Sequence, residues 1–209
     1  MDEGLEKAGN CGAYQKVLVP MLILGYMTGE LIVQNMAYLE LMPTYECQDK
    51  NTHNWERCYP EDFCRADGTF SSSRVRVDEN DPHSLNNWVE QMNLTCVPHT
   101  SIGLLGTMVF LGWMLSSAIV PRLSDVYGRK RFFLGFHILQ VLSLLALMHV
   151  KDIYAAFFCL FTLGFSGVGR SPIVYIYMME FLTPAYQKVA SPCFASAVAV
   201  CLAFGTFLL

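Results

Sequence analysis

Five long apolar runs constrain this chain more than any other feature. They lie at about Val17 to Leu39, Ser101 to Val120, Phe132 to Val150, Ile153 to Tyr177 and Val189 to Leu209. Each is long enough, at about 20 helical residues, to cross a hydrocarbon core of roughly 30 Å. Backbone groups in lipid must be satisfied within the segment, so the runs are expected to be helices. They are too long, and alternate too weakly, for the roughly ten-residue strands of a membrane barrel. Composition agrees: 53% of residues are hydrophobic and 15% charged, and the mean hydropathy is +0.34. The fold class expected is therefore an all-α, polytopic membrane bundle.

The divisions that follow are a tail over 1–16, helix 1 over 17–40, a large loop over 41–100 and helix 2 over 101–120. A short link over 121–131 leads to helix 3 over 132–150 and helix 4 over 153–180, then a loop over 181–188 and helix 5 over 189–209. The acidic, polar start and the length of the first run exclude a cleaved signal, so helix 1 serves as its own insertion signal. The link after helix 2 carries Arg122, Arg129, Lys130 and Arg131 against Asp125, whereas the next link has Lys151 beside Asp152. Basic residues collect on the cytoplasmic side, which puts the amino terminus inside and residues 41–100 outside. That outer loop holds Glu46, Glu61, Asp62, Asp78, Glu79 and Asp81. The net charge of −4 reports this acidic loop and gives no support to nucleic-acid binding.

Cys47, Cys58, Cys64 and Cys96 fall in the outer loop, with Cys11 in the tail and Cys159, Cys193 and Cys201 in apolar spans. Four cysteines in an oxidising compartment suit two disulfides, with three pairings open. No metal-ligand spacing accompanies them, and no metal or other cofactor is expected. A loop of this length, with turn clusters such as TFSSSR and DENDPHS, reads as a small stapled cap. Asn93-Leu94-Thr95 is a glycosylation sequon on the appropriate side, although helix 2 follows closely.

Glu30 lies about thirteen residues, or roughly 20 Å, from the cytoplasmic start of helix 1. A carboxylate at that depth needs a partner, water or a proton. Gln34 is one turn on and Asn35 beside it, so the three form a candidate substrate- or proton-binding stripe, with interhelical hydrogen bonding as the structural alternative. Arg170 lies roughly 25 Å along helix 4 from Ile153, which places it near the inner boundary. It is therefore grouped with Glu180 in a cytoplasmic charge network and not with Glu30. His137, Gln140 and His149 read as interhelical hydrogen-bonding residues, and Gly103, Gly106, Ser116, Ser117, Gly164, Gly167 and Gly169 as close-packing positions. Walker, HExxH and nucleophile-elbow motifs are absent from the sequence, so no enzyme is expected.

Asp125, Gly128, Arg129 and Lys130 form D-x-x-G-R-K after helix 2, which resembles the signature loop of the major facilitator superfamily. ELMPTYECQ and QMNLTC flank the large loop, and EFLTPAYQK follows helix 4. These stretches are similar to the organic cation and anion transporters of that superfamily, with sugar porters and synaptic vesicle glycoprotein 2-like proteins as near relatives. The resemblance implies two six-helix halves, a small organic solute at the midplane, alternating access and a gating cluster of Asp125, Arg129, Lys130, Arg170 and Glu180. A coupling proton or ion, membrane lipids and a carboxy-terminal half are the partners implied, in a plasma-membrane setting. Leu209 ends inside an apolar run, which leads to the expectation of a longer protein. Three positions depart from the family pattern: Pro121 stands for Gly, Val126 for Arg and Leu160 for Arg. A membrane-embedded structural or interaction protein with a degenerate transporter half is therefore kept as the alternative, beside sugar porter-like transport.

Overall fold

The structure is a computed structural model and describes residues 12–48, 53–65, 74–78, 80–81, 84 and 87–208. The tail to residue 11 with Cys11, Glu79, parts of the two turn clusters, and Leu209 lie outside these. The chain is an all-α polytopic bundle carrying one small sheet. Helix α1 (Ala13–Gln34) and the short α2 (Met36–Leu39) lead to the cap. The cap comprises β1 (Tyr45–Gln48), β2 (Trp55–Cys58), α3 (Pro60–Phe63), β3 (Val75–Val77) and α4 (Trp88–Gln91), then a 3₁₀ turn at Leu94–Cys96. After it come α5 (His99–Tyr127), α6 (Arg129–His149), α7 (Ile153–Arg170), α8 (Pro172–Glu180) and α9 (Pro184–Leu208). Among the described residues, Ala13–Leu39, His99–Tyr127, Arg129–His149 and Ile153–Glu180 are long and apolar enough to cross a membrane. This is an integral membrane protein.

Helix α7 is the centre of the bundle. Ala156, Leu160, Leu163, Gly164 and Val168 are all buried, and the helix packs against α5 and α6. Its start is fixed by Asp152, whose carboxylate accepts the Ala155 N–H at 3.2 Å, satisfying one of the free donors at a helix amino end. The α5–α7 crossing is close because two glycines face each other's backbone. A Cβ at Gly112 would meet the Phe161 carbonyl, and one at Gly164 the Val109 carbonyl. In lipid, where apolar burial does not drive helices together, such backbone approach supplies the packing.

Three expected boundaries change. The link assigned to 121–131 is almost wholly helical: α5 continues through Pro121 to Tyr127, and the chain reverses at Gly128 alone, with φ 95°. A proline inside a helix removes one N–H bond, a loss this 29-residue helix absorbs without breaking. The expected helix 4 divides at Ser171, because Pro172 has no N–H and opens α8 as its first residue. Helix α9 starts at Pro184, ahead of the expected position 189.

The cap holds a three-stranded antiparallel sheet in the order β2-β1-β3, with Tyr45 opposite both Cys58 and Val77. Its strands are three or four residues long, below the usual length of about five or six, and disulfides compensate. Cys47 is bonded to Cys58 and Cys64 to Cys96. Tyr45 and Phe63 make an edge-to-face contact at 5.3 Å in the cap's own core. Arg76 pairs with Glu46 at 2.7 Å and lies 4.1 Å over the Trp55 ring. Asn87 anchors the cap to the bundle: its amide donates to the Tyr38 and Leu41 carbonyls at 3.1 and 2.6 Å, while its oxygen caps α4 through the Val89 N–H.

Peptide mapping of the non-reduced protein is expected to recover the 47–58 and 64–96 links. Opening Cys64–Cys96 should be the more damaging, because it spans 32 residues against 11. A closed loop of that size is worth about 3–4 kcal/mol by chain entropy. Alkylatable thiols at all four positions would refute the stapled cap.

Candidate functional site

The first site is a polar cluster in the bundle, built where α1, α6 and α7 meet. Arg170, the last residue of α7, is 3% exposed. Its Nη1 donates to the Tyr26 carbonyl at 3.0 Å and to Glu30 Oε1 at 3.4 Å. Glu30 is 7% exposed, so both charges are out of solvent and each is the other's compensation. Gly29 makes the approach possible, since a Cβ there would overlap the guanidinium.

This pairing corrects the placement of Arg170 in a network with Glu180. Long helical side chains lean toward their own amino end. Helices α1 and α7 run in opposite directions, so Glu30 and Arg170 lean toward each other and close the gap in depth that a count along the two helix axes leaves. The stripe expected at Glu30, Gln34 and Asn35 is not assembled either. Gln34 is exposed. Asn35 sits at the end of α1 and turns its amide back onto the Leu31 carbonyl at 2.6 Å.

The third side of the cluster comes from α6, whose His137, Gln140 and Ser143 recur at helical spacing on one face. The His137 ring packs on Gly25 of α1. Gln140 Nε2 reaches Thr28 Oγ1 at 3.5 Å, and Ser143 bonds Thr162 of α7 at 2.8 Å. Among the described residues, Arg170 Nε, His137 Nε2 and Gln140 Oε1 are buried without a hydrogen-bond partner. Buried polar atoms are rarely left so, and together with the ion pair they define a site that water or a polar ligand can complete. His149 lies away from it, exposed and bonded to the Leu145 carbonyl of its own helix. The α6 contribution was visible in sequence as polar residues in an apolar run, but their partners on α1 and α7 were not.

The second site lies at the end of the bundle opposite the cap. Gly128 turns the chain so that Arg129, first residue of α6, reaches back to Asp125 in the last turn of α5, at 2.9 Å from Nη2. Its Nη1 donates to Glu180 Oε1 at 2.5 Å, tying the α5–α6 turn to the end of α8. Lys130 is exposed and makes no ion pair among the described residues. Asp125 and Glu180 are 63% and 44% exposed at the side chain, against 23% for Arg129. Pairs this open are worth about 0–1 kcal/mol each, which makes the cluster easy to break.

Fold and sites together define a polytopic α-helical membrane protein with a buried charge pair in its bundle and an exposed charge cluster at its helix ends. No protein-family model matches the chain. It is 23% identical to an organic cation transporter-like protein of Drosophila melanogaster, in a match taking in 88% of this chain and 37% of that protein. It is 36% identical to synaptic vesicle glycoprotein 2B of Homo sapiens over 89 residues, 42% of this chain and 13% of that protein. The Rattus norvegicus form gives 35% over the same length. The chain thus spans well under two thirds of these relatives. The similarities support the major facilitator resemblance and leave the branch open.

Proposed function

We propose that this chain forms part of the amino-terminal half of a major facilitator-type transporter. It moves a small organic solute, an organic ion by preference, across a membrane by alternating access. The observation that carries the reading is the Glu30–Arg170 pair, with unpartnered polar atoms around it, buried in helices that otherwise read as lipid-spanning. Intramembrane ionisable groups are costly and mark solute or proton paths. In this reading the cap is extracellular, the Arg129 cluster is cytoplasmic, and a carboxy-terminal half completes the cavity. Solute or a coupling proton acts on Glu30 by competing with Arg170.

The full-length protein reconstituted in vesicles tests this. Saturable uptake of an organic ion is expected. Glu30→Gln with Arg170→Gln, which keeps hydrogen-bonding groups and removes both charges, should abolish the response of net uptake to a pH gradient while exchange persists. Unchanged behaviour in both assays would return the pair to a purely structural role.

The Arg129 cluster is proposed as a state-dependent latch. Asp125→Asn removes one arm of it and should leave insertion intact while shifting the balance toward states open to the cytoplasm. The check is cysteine accessibility from the two sides, and an unaltered ratio would dispose of the latch. A second reading, a non-transporting membrane protein that keeps a transporter half, is favoured by Glu30 being already neutralised by Arg170. Absence of uptake across organic cations, organic anions and sugars would support it.

A further inference from the structure

The sequon Asn93-Leu94-Thr95 straddles the boundary between the surface and the interior of the cap. Asn93 is exposed, with a left-handed backbone at φ 53°, which asparagine tolerates. The two residues after it turn inward, Leu94 at 3% and Thr95 at 6% exposure. Leu94 belongs to the same buried hydrophobic cluster as Ile102, Leu105 and Leu160 of the bundle. The Thr95 hydroxyl is 2.8 Å from the Tyr45 hydroxyl in a buried contact. Burial pushes the Tyr45 phenol above its usual range, with Glu90 adding to the shift and the Thr95 bond opposing it, so the phenol keeps its proton. The next residue, Cys96, is bonded to Cys64.

A glycan acceptor is recognised through both the asparagine amide and the hydroxyl two residues on. In the folded cap the amide is available and the hydroxyl is not. We infer that Asn93 accepts a glycan only before the Cys64–Cys96 disulfide closes, so that sugar addition and cap oxidation compete for the same segment. In the transfer, the Asn93 amide nitrogen bonds to the anomeric carbon of a lipid-linked oligosaccharide. The bond from that carbon to the pyrophosphate oxygen breaks, and the amide releases one proton. In the competing step, the two thiols lose two protons and two electrons to the disulfide of an oxidising thiol–disulfide exchange protein. A glycan attached first is compatible with later closure, because the Asn93 side chain faces out. The inference rests on the outer placement of the cap.

The experiment compares glycosidase-sensitive mobility of the full-length protein in secretory-competent cells. Cys64→Ser leaves every residue of the sequon unchanged and is expected to raise the glycosylated fraction severalfold. Cys58→Ser, which opens only the other disulfide, should leave that fraction near its original level. Equal rises in the two variants would show general misfolding in place of a local clamp, and no rise in either would overturn the inference outright. Lys50→Asn, which completes an Asn-Asn-Thr acceptor elsewhere in the loop, separates the premises. A glycan at position 50 with none at 93 in Cys64→Ser refutes the clamp alone, whereas silence at both refutes the outer placement and the inference with it.

Discussion

Glu30→Gln is expected to destabilise the full-length protein by roughly 3–5 kcal/mol, the usual cost of removing one partner from a buried ion pair. The variant strands Arg170, 97% of whose surface is covered by reference to its 3% exposure. A guanidinium cannot shed its proton to escape. Arg170→Gln strands a carboxyl in the same place, but a carboxyl can take up a proton and become a neutral donor. The second variant should therefore be the milder. Replacing both residues by glutamine removes both charges and should restore most of what either single change loses. Thermal unfolding of the purified protein, followed by size-exclusion, reads all three. Single-variant losses that simply add in the double would show that the two residues are energetically independent, despite the 3.4 Å contact.

Gly164→Ala is the second large effect, and its sign is opposite to helix propensity. Alanine favours a helix over glycine by about 1 kcal/mol. At Gly164 the new methyl would press into the Val109 carbonyl, and backbone cannot step aside as a side-chain tip can. Helices α5 and α7 must separate, and overpacking of this kind costs about 1–3 kcal/mol. Gly112→Ala should act likewise through the Phe161 carbonyl. The two together should cost less than their sum, since one separation relieves both. Gly103→Ala and Gly135→Ala serve as controls, because nothing among the described residues lies within 4 Å of a Cβ at either. If Gly164→Ala proved as harmless as these, the close crossing would be wrong.

Much of the architecture was legible from length and hydropathy, because a lipid environment leaves a segment such as Ile153–Glu180 little choice but helix. The even cysteine count pointed to two disulfides. Their pairing was not legible, since it depends on strands of three and four residues too short to announce themselves by alternation. Depth was the other failure. Counting rise per residue located the Cα positions of Glu30 and Arg170 but not the reach of their side chains, nor the room left by Gly29. The link at 121–131 misled as well: it was bounded where apolar residues give way to charged ones, yet α5 runs on through Pro121 to Tyr127. The grouping of Asp125, Arg129 and Glu180 at one end followed from spacing and resemblance, whereas the exclusion of Lys130 and Arg170 depended on geometry.

The break at Ser171 divides the fourth long apolar segment into two arms of unequal task. Arg170 stands immediately before it, held in the core, and Glu180 ends the nine-residue α8 beyond it, on the exposed cluster. An arm of nine residues is about 13 Å long, so a tilt of about 10° at the break carries its far end through roughly 2 Å. Such a displacement would stretch the Arg129–Glu180 contact beyond hydrogen-bond range without requiring α7 to leave its glycine crossing. If a shift at Arg170 were passed to this arm, it would reach the protein's edge enlarged, and the loose contact there would open before the tight one in the interior gave way.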